Sequence, residues 1–155
     1  MDIKNVDESN IAYILKRLDY LDKKYALKNI LIFETSSTSP MVKRISDAGY
    51  HTSYYLPVPN WNKVSPKDEA KRIQKQIKSQ NLKAISFPGS LYSFVKKHVE
   101  AGISEKIVYH TWGTYKFKRK GELLRVQKEN LYADERVKTI IYSYYNNKFN
   151  RLYDF

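Results

Sequence analysis

The 155-residue chain contains no cysteine. That excludes a disulfide framework, a Cys-ligated zinc or iron–sulfur site and a thiol nucleophile, and it leaves the redox compartment undetermined. No apolar run approaches the roughly 18 residues that cross a bilayer. Met1 to Glu8 lack the basic start and apolar centre of a signal peptide, so the expectation is a cytoplasmic protein with no transmembrane segment. The phosphate cradles G-x-x-x-x-G-K-[ST] and G-x-G-x-x-G are missing, as is the G-x-S-x-G elbow of serine hydrolases. No two of the 3 histidines stand at metal-ligand spacing, so no cofactor is evident. Length is also short: a complete (β/α)8 barrel typically takes about 250 residues, with ~200 near the lower limit.

What is present suffices for one folded core. Hydrophobic residues make up 42% of the chain, which predicts a single α/β domain over residues 1–155. The net charge of +12 is uneven. Residues 1–62 hold 8 basic and 7 acidic groups, residues 63–125 hold 15 and 5, and residues 126–155 hold 5 and 4. A field centred on the middle of the chain attracts nucleic acid, anionic lipid head groups or phosphorylated ligands without choosing among them. Solvated helix faces account for it equally well.

Apolar periodicity sets out the elements. Ile11, Ile14, Leu15, Leu18 and Leu21 fall on one face of a helix capped by Ser9 or Asn10. Asn29 to Phe33 is a short apolar run that predicts a strand buried on both faces, ending at Glu34. Ser39-Pro40 opens a second helix that closes at Gly49, and His51 to Leu56 is the next strand, stopped by Pro57 and Pro59. Ser65-Pro66-Lys67-Asp68-Glu69 opens a helix running to about Gln80. Lys83 to Phe87 is a strand, followed by a helix from Ser90 to Gly102. Lys106 to Trp112 and Val137 to Tyr144 complete five strands. Strands alternating with amphipathic helices at this spacing predict βαβ crossovers and a parallel sheet of about five strands, either doubly wound or resembling an incomplete (β/α)8 barrel.

In such folds the ligand site gathers at the carboxyl ends of the strands. Candidates there are Glu34, Thr35 and Ser36, then Tyr54 and Tyr55, Ser86 and Phe87, His110 and Trp112, and Tyr142 and Tyr144. A carboxylate after four apolar residues is costly to bury alone, so Glu34 is either partnered or functional. His110 is the histidine at a strand's carboxyl end and stands as an acid, base or ligand, with a structural role as the alternative. Trp112 and the tyrosines form a wall for stacking a sugar or base, or simply pack. Tyr115 to Lys120 alternates aromatic and basic residues, as single-stranded nucleic-acid grooves do.

The run Ile30 to Ser36, Ala84 to Phe87, Val108 to Trp112 and Val137 to Ile141 together resemble the later βα units of phospholipase C-like phosphodiesterases, of the glycerophosphodiester phosphodiesterase type. The similarity covers residues 25–145 or so and rests on short apolar motifs. Thr111-Trp112 reverses the family's Trp-Thr pair, and Tyr144 to Asn147 lacks its closing turn. Neither its His-Arg-Gly nor its Glu-x-Asp occurs here. The resemblance therefore implies a phosphodiesterase-like barrel portion that binds a phosphorylated or polyanionic ligand. As a lone chain it would lack complete catalytic equipment, and a divalent metal would need ligands from a missing half. Only Trp112, from the family's substrate end, carries over. A half barrel also predicts a second chain or a homo-oligomer covering its exposed edges. Two alternatives stand beside this reading: a basic module binding RNA or an anionic surface through residues 63–125, and an enzyme of other chemistry using Glu34 and His110.

Overall fold

A computed structural model describes residues 5–36, 38–103, 106–112 and 130–141. The first helix, α1 (Ile11–Tyr25), buries Ile11 and Leu18. Neither Ser9 nor Asn10 caps it by a side-chain bond to the helix. Asp7 takes that place: its carboxylate accepts the backbone N–H groups of Ser9 and Asn10 at 2.9 and 3.2 Å. Strand β1 (Ile32–Thr35) begins three residues later than the apolar run suggests, because a 3-10 turn over Leu27–Asn29 uses up the start of that run. Glu34 consequently lies inside the strand.

Helix α2 (Met41–Asp47) ends before Gly49, whose φ of +89° is the left-handed turn that glycine adopts without strain. Strand β2 spans His51–Tyr55. Helix α3 (Pro66–Ser79) starts as its sequence dictates: Ser65 Oγ accepts the Asp68 N–H at 3.1 Å, and Asp68 and Glu69 occupy the first turn. Strand β3 is Ala84–Pro88. The helix that follows it is irregular. We call it α4: a 3-10 turn (Gly89–Leu91), one α turn (Tyr92–Phe94), a π turn (Val95–Val99) and a closing 3-10 turn (Glu100–Gly102). Gln74 of α3 donates to the π-turn carbonyls of His98 and Val99, both at 3.0 Å, and its side chain lies where a Cβ on Gly102 would stand. Only glycine admits that approach. Strands β4 (Val108–Trp112) and β5 (Val137–Ile141) complete the sheet.

All four strand pairings are parallel and the order is β1-β2-β3-β4-β5. A doubly wound sheet reverses direction once; this one never does. Right-handed crossovers that always step the same way lay their helices on one face, as in a β/α barrel. The register bears this out. Tyr54, Ile85 and Tyr109 are paired across neighbouring strands, and these side chains pack with Phe87 against Ile73 and Ile77 of α3 and Val95 and Val99 of α4. Phe33 joins α1 and α2 through Leu18, Ile45 and Tyr50 in a second cluster. The fold is therefore an α/β fold with one parallel sheet, consistent with part of a β/α barrel, and both described apolar clusters lie on the helix-covered side.

Charged groups lock α4 to the β4–β5 connection. Tyr109 donates to Glu100 Oε2 at 3.0 Å and accepts from Arg136 at 3.3 Å, while Lys96 bridges Glu100 and Asp134 at 2.8 and 3.1 Å. Burial pushes the Tyr109 hydroxyl well above its ordinary range, so it stays a proton donor to Glu100.

Candidate functional site

Alternation along a strand sends every second side chain to the face opposite the described helices. On β1 that is Ile32 and Glu34, on β2 His51, Ser53 and Tyr55, on β3 Ala84, Ser86 and Pro88, and on β4 Val108, His110 and Trp112. On β5 a register shift opposite Tyr109/His110 brings Thr139 and Ile141 to the same face. Three levels result. The strand starts are mainly apolar, the middle is polar, and the carboxyl end is aromatic and apolar.

The middle level is held by short hydrogen bonds. Glu34 pairs in register with Ser53, and Ser86 with His110, which in turn pairs with Thr139. The Ser53 and Ser86 hydroxyls lie 2.5 Å apart and both residues are fully buried, at 0% and 1% exposure. Two buried hydroxyls in a sheet satisfy each other this way, where either alone would cost about 1–3 kcal/mol. His110 Nδ1 is 2.9 Å from Thr139 Oγ1, and the tautomer sets the direction of that bond. Burial lowers the pKa of His110 from its ordinary 6.5; the Glu34 carboxylate opposes that effect and the His51 imidazole adds to it. The half-buried His110 is thus a neutral imidazole at pH 7, able to donate from one nitrogen and accept at the other.

At the carboxyl end the Tyr55 and Trp112 rings stack, with centroids 5.3 Å apart and planes 10° from parallel. Both are half-buried. Ser36, one residue beyond β1, is exposed at the same end.

Of the residues singled out from sequence, the structure therefore brings Glu34, Tyr55, Ser86, His110 and Trp112 to one face. Tyr54 lies on the other. Its ring is buried among the core residues and its hydroxyl accepts from Arg72 at 3.1 Å, while Arg72 also holds the buried Glu69 at 2.7 and 2.9 Å. Thr35 and Phe87 share that helix-covered side. Tyr142, Tyr144 and the Tyr115–Lys120 stretch lie outside the described residues. Ser53 and Thr139 belong to the site without having been singled out. Period-two counting back from Tyr55 points to Ser53, whereas the register shift that delivers Thr139 leaves no trace in the sequence.

The resemblance implies a divalent metal, and the residues present do not make its site. Among the described residues no three His, Asp or Glu side chains converge, and Glu34 is the one carboxylate of the polar level. Among the described residues, no helix is long and apolar enough to cross a membrane.

No protein-family profile matches this chain, and no curated protein matches it. Among solved structures, it is similar to a candidate glycerophosphoryl diester phosphodiesterase from Silicibacter pomeroyi DSS-3, with a TM-score of 0.57 and 11% identity. The similarity takes in 92% of this chain and 45% of that one, so the chain spans less than half the length of its structural relative. At this identity the likeness concerns architecture: the fold is phosphodiesterase-like.

Proposed function

We propose that this chain is a phosphodiesterase-like barrel portion that binds a phosphorylated, hydroxyl-bearing ligand at the carboxyl end of the sheet face opposite the described helices. The observation that carries this reading is the group of Glu34, Ser53, Ser86, His110 and Thr139 on one face, beside the Tyr55–Trp112 stack. Each group has a role such a ligand would use. Glu34 accepts hydrogen bonds from ligand hydroxyls, and a neutral His110 donates or accepts through Nε2 because Nδ1 is engaged with Thr139. The stacked rings offer a flat surface to the ligand's carbon skeleton. The charge of +12, concentrated in residues 63–125, draws the phosphate toward the molecule.

Binding without turnover is the expected behaviour of the lone chain, whose sequence holds neither His-Arg-Gly nor Glu-x-Asp. Strands β1 and β5 are the edges of the described sheet, and a second chain or another copy that pairs with them belongs to the same proposal. Titration calorimetry with glycerophosphocholine and with glycerol 3-phosphate tests the reading. Saturable binding that weakens at least about tenfold, or about 1.4 kcal/mol, in Trp112→Ala and His110→Ala is expected. Absence of binding to both compounds, or binding indifferent to both substitutions, would sink it. The presence of Glu34 and His110 on one sheet face also favours a second reading, an enzyme in which these two groups move a proton. Phosphodiester turnover that disappears in Glu34→Gln and His110→Ala would replace the first reading by this one.

A further inference from the structure

We propose a second binding site at the opposite, amino-terminal end of the sheet. Its ligand would be a small amphiphilic anion: a carboxylate or phosphate head on a short apolar body. Apart from His110, which both sites share, it uses residues that the reading above does not.

A cavity of about 480 Å³ opens where the strands begin, within the range of roughly 300–1,000 Å³ typical of small-ligand sites. Ile32, Ala84 and Val108, each the first residue of its strand, give it an apolar floor, and Ile30, 69% exposed, extends that floor to the rim. Lys83, Lys138 and His51 also line it, and no Asp or Glu does among the described residues. Glu34 stands two residues further along β1, toward the polar level. Lys83 spends one of its three N–H groups on Asn81 Oδ1 at 2.9 Å and keeps two for a ligand.

The two kinds of lining select the ligand together. An uncharged apolar molecule would leave the lysines unused, and a bare inorganic anion would leave Ile30, Ile32, Ala84 and Val108 facing water. A head group near Lys83 and Lys138 with its body on the floor satisfies both. A carboxylate and a phosphate monoester share this chemistry, and the two arms of the test separate them.

Hexanoate and hexyl phosphate are titrated into the full chain and followed by amide chemical shifts, with hexanol and inorganic phosphate as controls. Saturable shifts centred on residues 29–32, 51–52, 83–84 and 138 are expected for at least one anion, and the tighter arm names the head group. Both controls are expected to bind at least about tenfold more weakly, and Lys83→Glu/Lys138→Glu is expected to weaken the anion by at least about tenfold. Both lysines are exposed, so the variant is expected to fold; Ile30→Ser, also at an exposed position, tests the apolar half independently. The double lysine variant should retain binding of glycerophosphocholine, so the two sites can fail separately. Hexanol binding as tightly as the anions, anion binding unmoved by the lysine variant, no binding of either anion, or self-association that shields these amides without ligand would each overturn the proposal.

Discussion

The two faces of the sheet are built from the same five strands and obey different rules. On the helix-covered face Phe33, Tyr54, Ile85, Phe87 and Tyr109 are buried and mostly apolar, and the Tyr54 and Tyr109 hydroxyls are tied to charged partners. On the other face the middle of the sheet is hydroxyls, an imidazole and a carboxylate. The first face shows what the fold spends on stability. The second gathers polar groups that are bonded to one another, the kind of place where a ligand site is expected.

The sharpest way to break this contrast is to truncate matched aromatics. Phe87→Ala, at a fully buried position, is expected to cost about 3–5 kcal/mol in denaturant unfolding. Trp112→Ala, half-buried on the other face, is expected to cost about 1–2 kcal/mol while removing ligand binding. Equal stability losses would mean that the two faces are not functionally distinct. Next in size is the serine pair. Ser86→Ala orphans the Ser53 hydroxyl and should cost about 1–3 kcal/mol, whereas Ser53→Ala/Ser86→Ala should cost clearly less than the sum of the single variants. Additive losses in that cycle would show that the two hydroxyls do not depend on each other.

A cap lies away from both faces and sets the scale: Ser65→Ala is expected to lose about 1 kcal/mol by thermal melting, with ligand binding unchanged. The smallest effect is the pH dependence of His110. Its folded pKa lies below the ordinary 6.5, so between those two values the unfolded chain binds the proton that the native state refuses. Stability contributed by this group is complete above pH 6.5 and falls as the solution is acidified through that window. His110→Asn should flatten the slope of stability against pH there. An unchanged slope would place the titration elsewhere.

Much of the architecture was legible in the chain because local forces produce it. Ser65-Pro66 fixes the start of α3 through a hydroxyl–amide bond and a preset φ, and apolar runs between charged helices mark all five strands within a few residues. Less legible was the exact position of β1. The run from Asn29 to Phe33 reads as a doubly buried strand, yet Ile30 is 69% exposed and the strand begins at Ile32, because the 3-10 turn over Leu27–Asn29 takes up the start of the run. Among site residues, Glu34, Ser86, His110 and Trp112 could be picked out by their place near strand ends. Tyr54 and Tyr55 are indistinguishable by composition, and only the register sends one into the core and the other beside Trp112.

The sequence by itself determined that the chain is an alternating α/β protein with a basic middle, since periodicity, caps and charge are properties of neighbouring residues. Tertiary structure alone decided that the strands run β1 to β5 without a reversal, that the described helices pack on one face, and that Glu34, Ser53, Ser86, His110 and Thr139 meet on the other. Strand order is a choice among long-range pairings that local sequence prefers almost equally, and the energy separating them comes from packing the whole sheet against its helices.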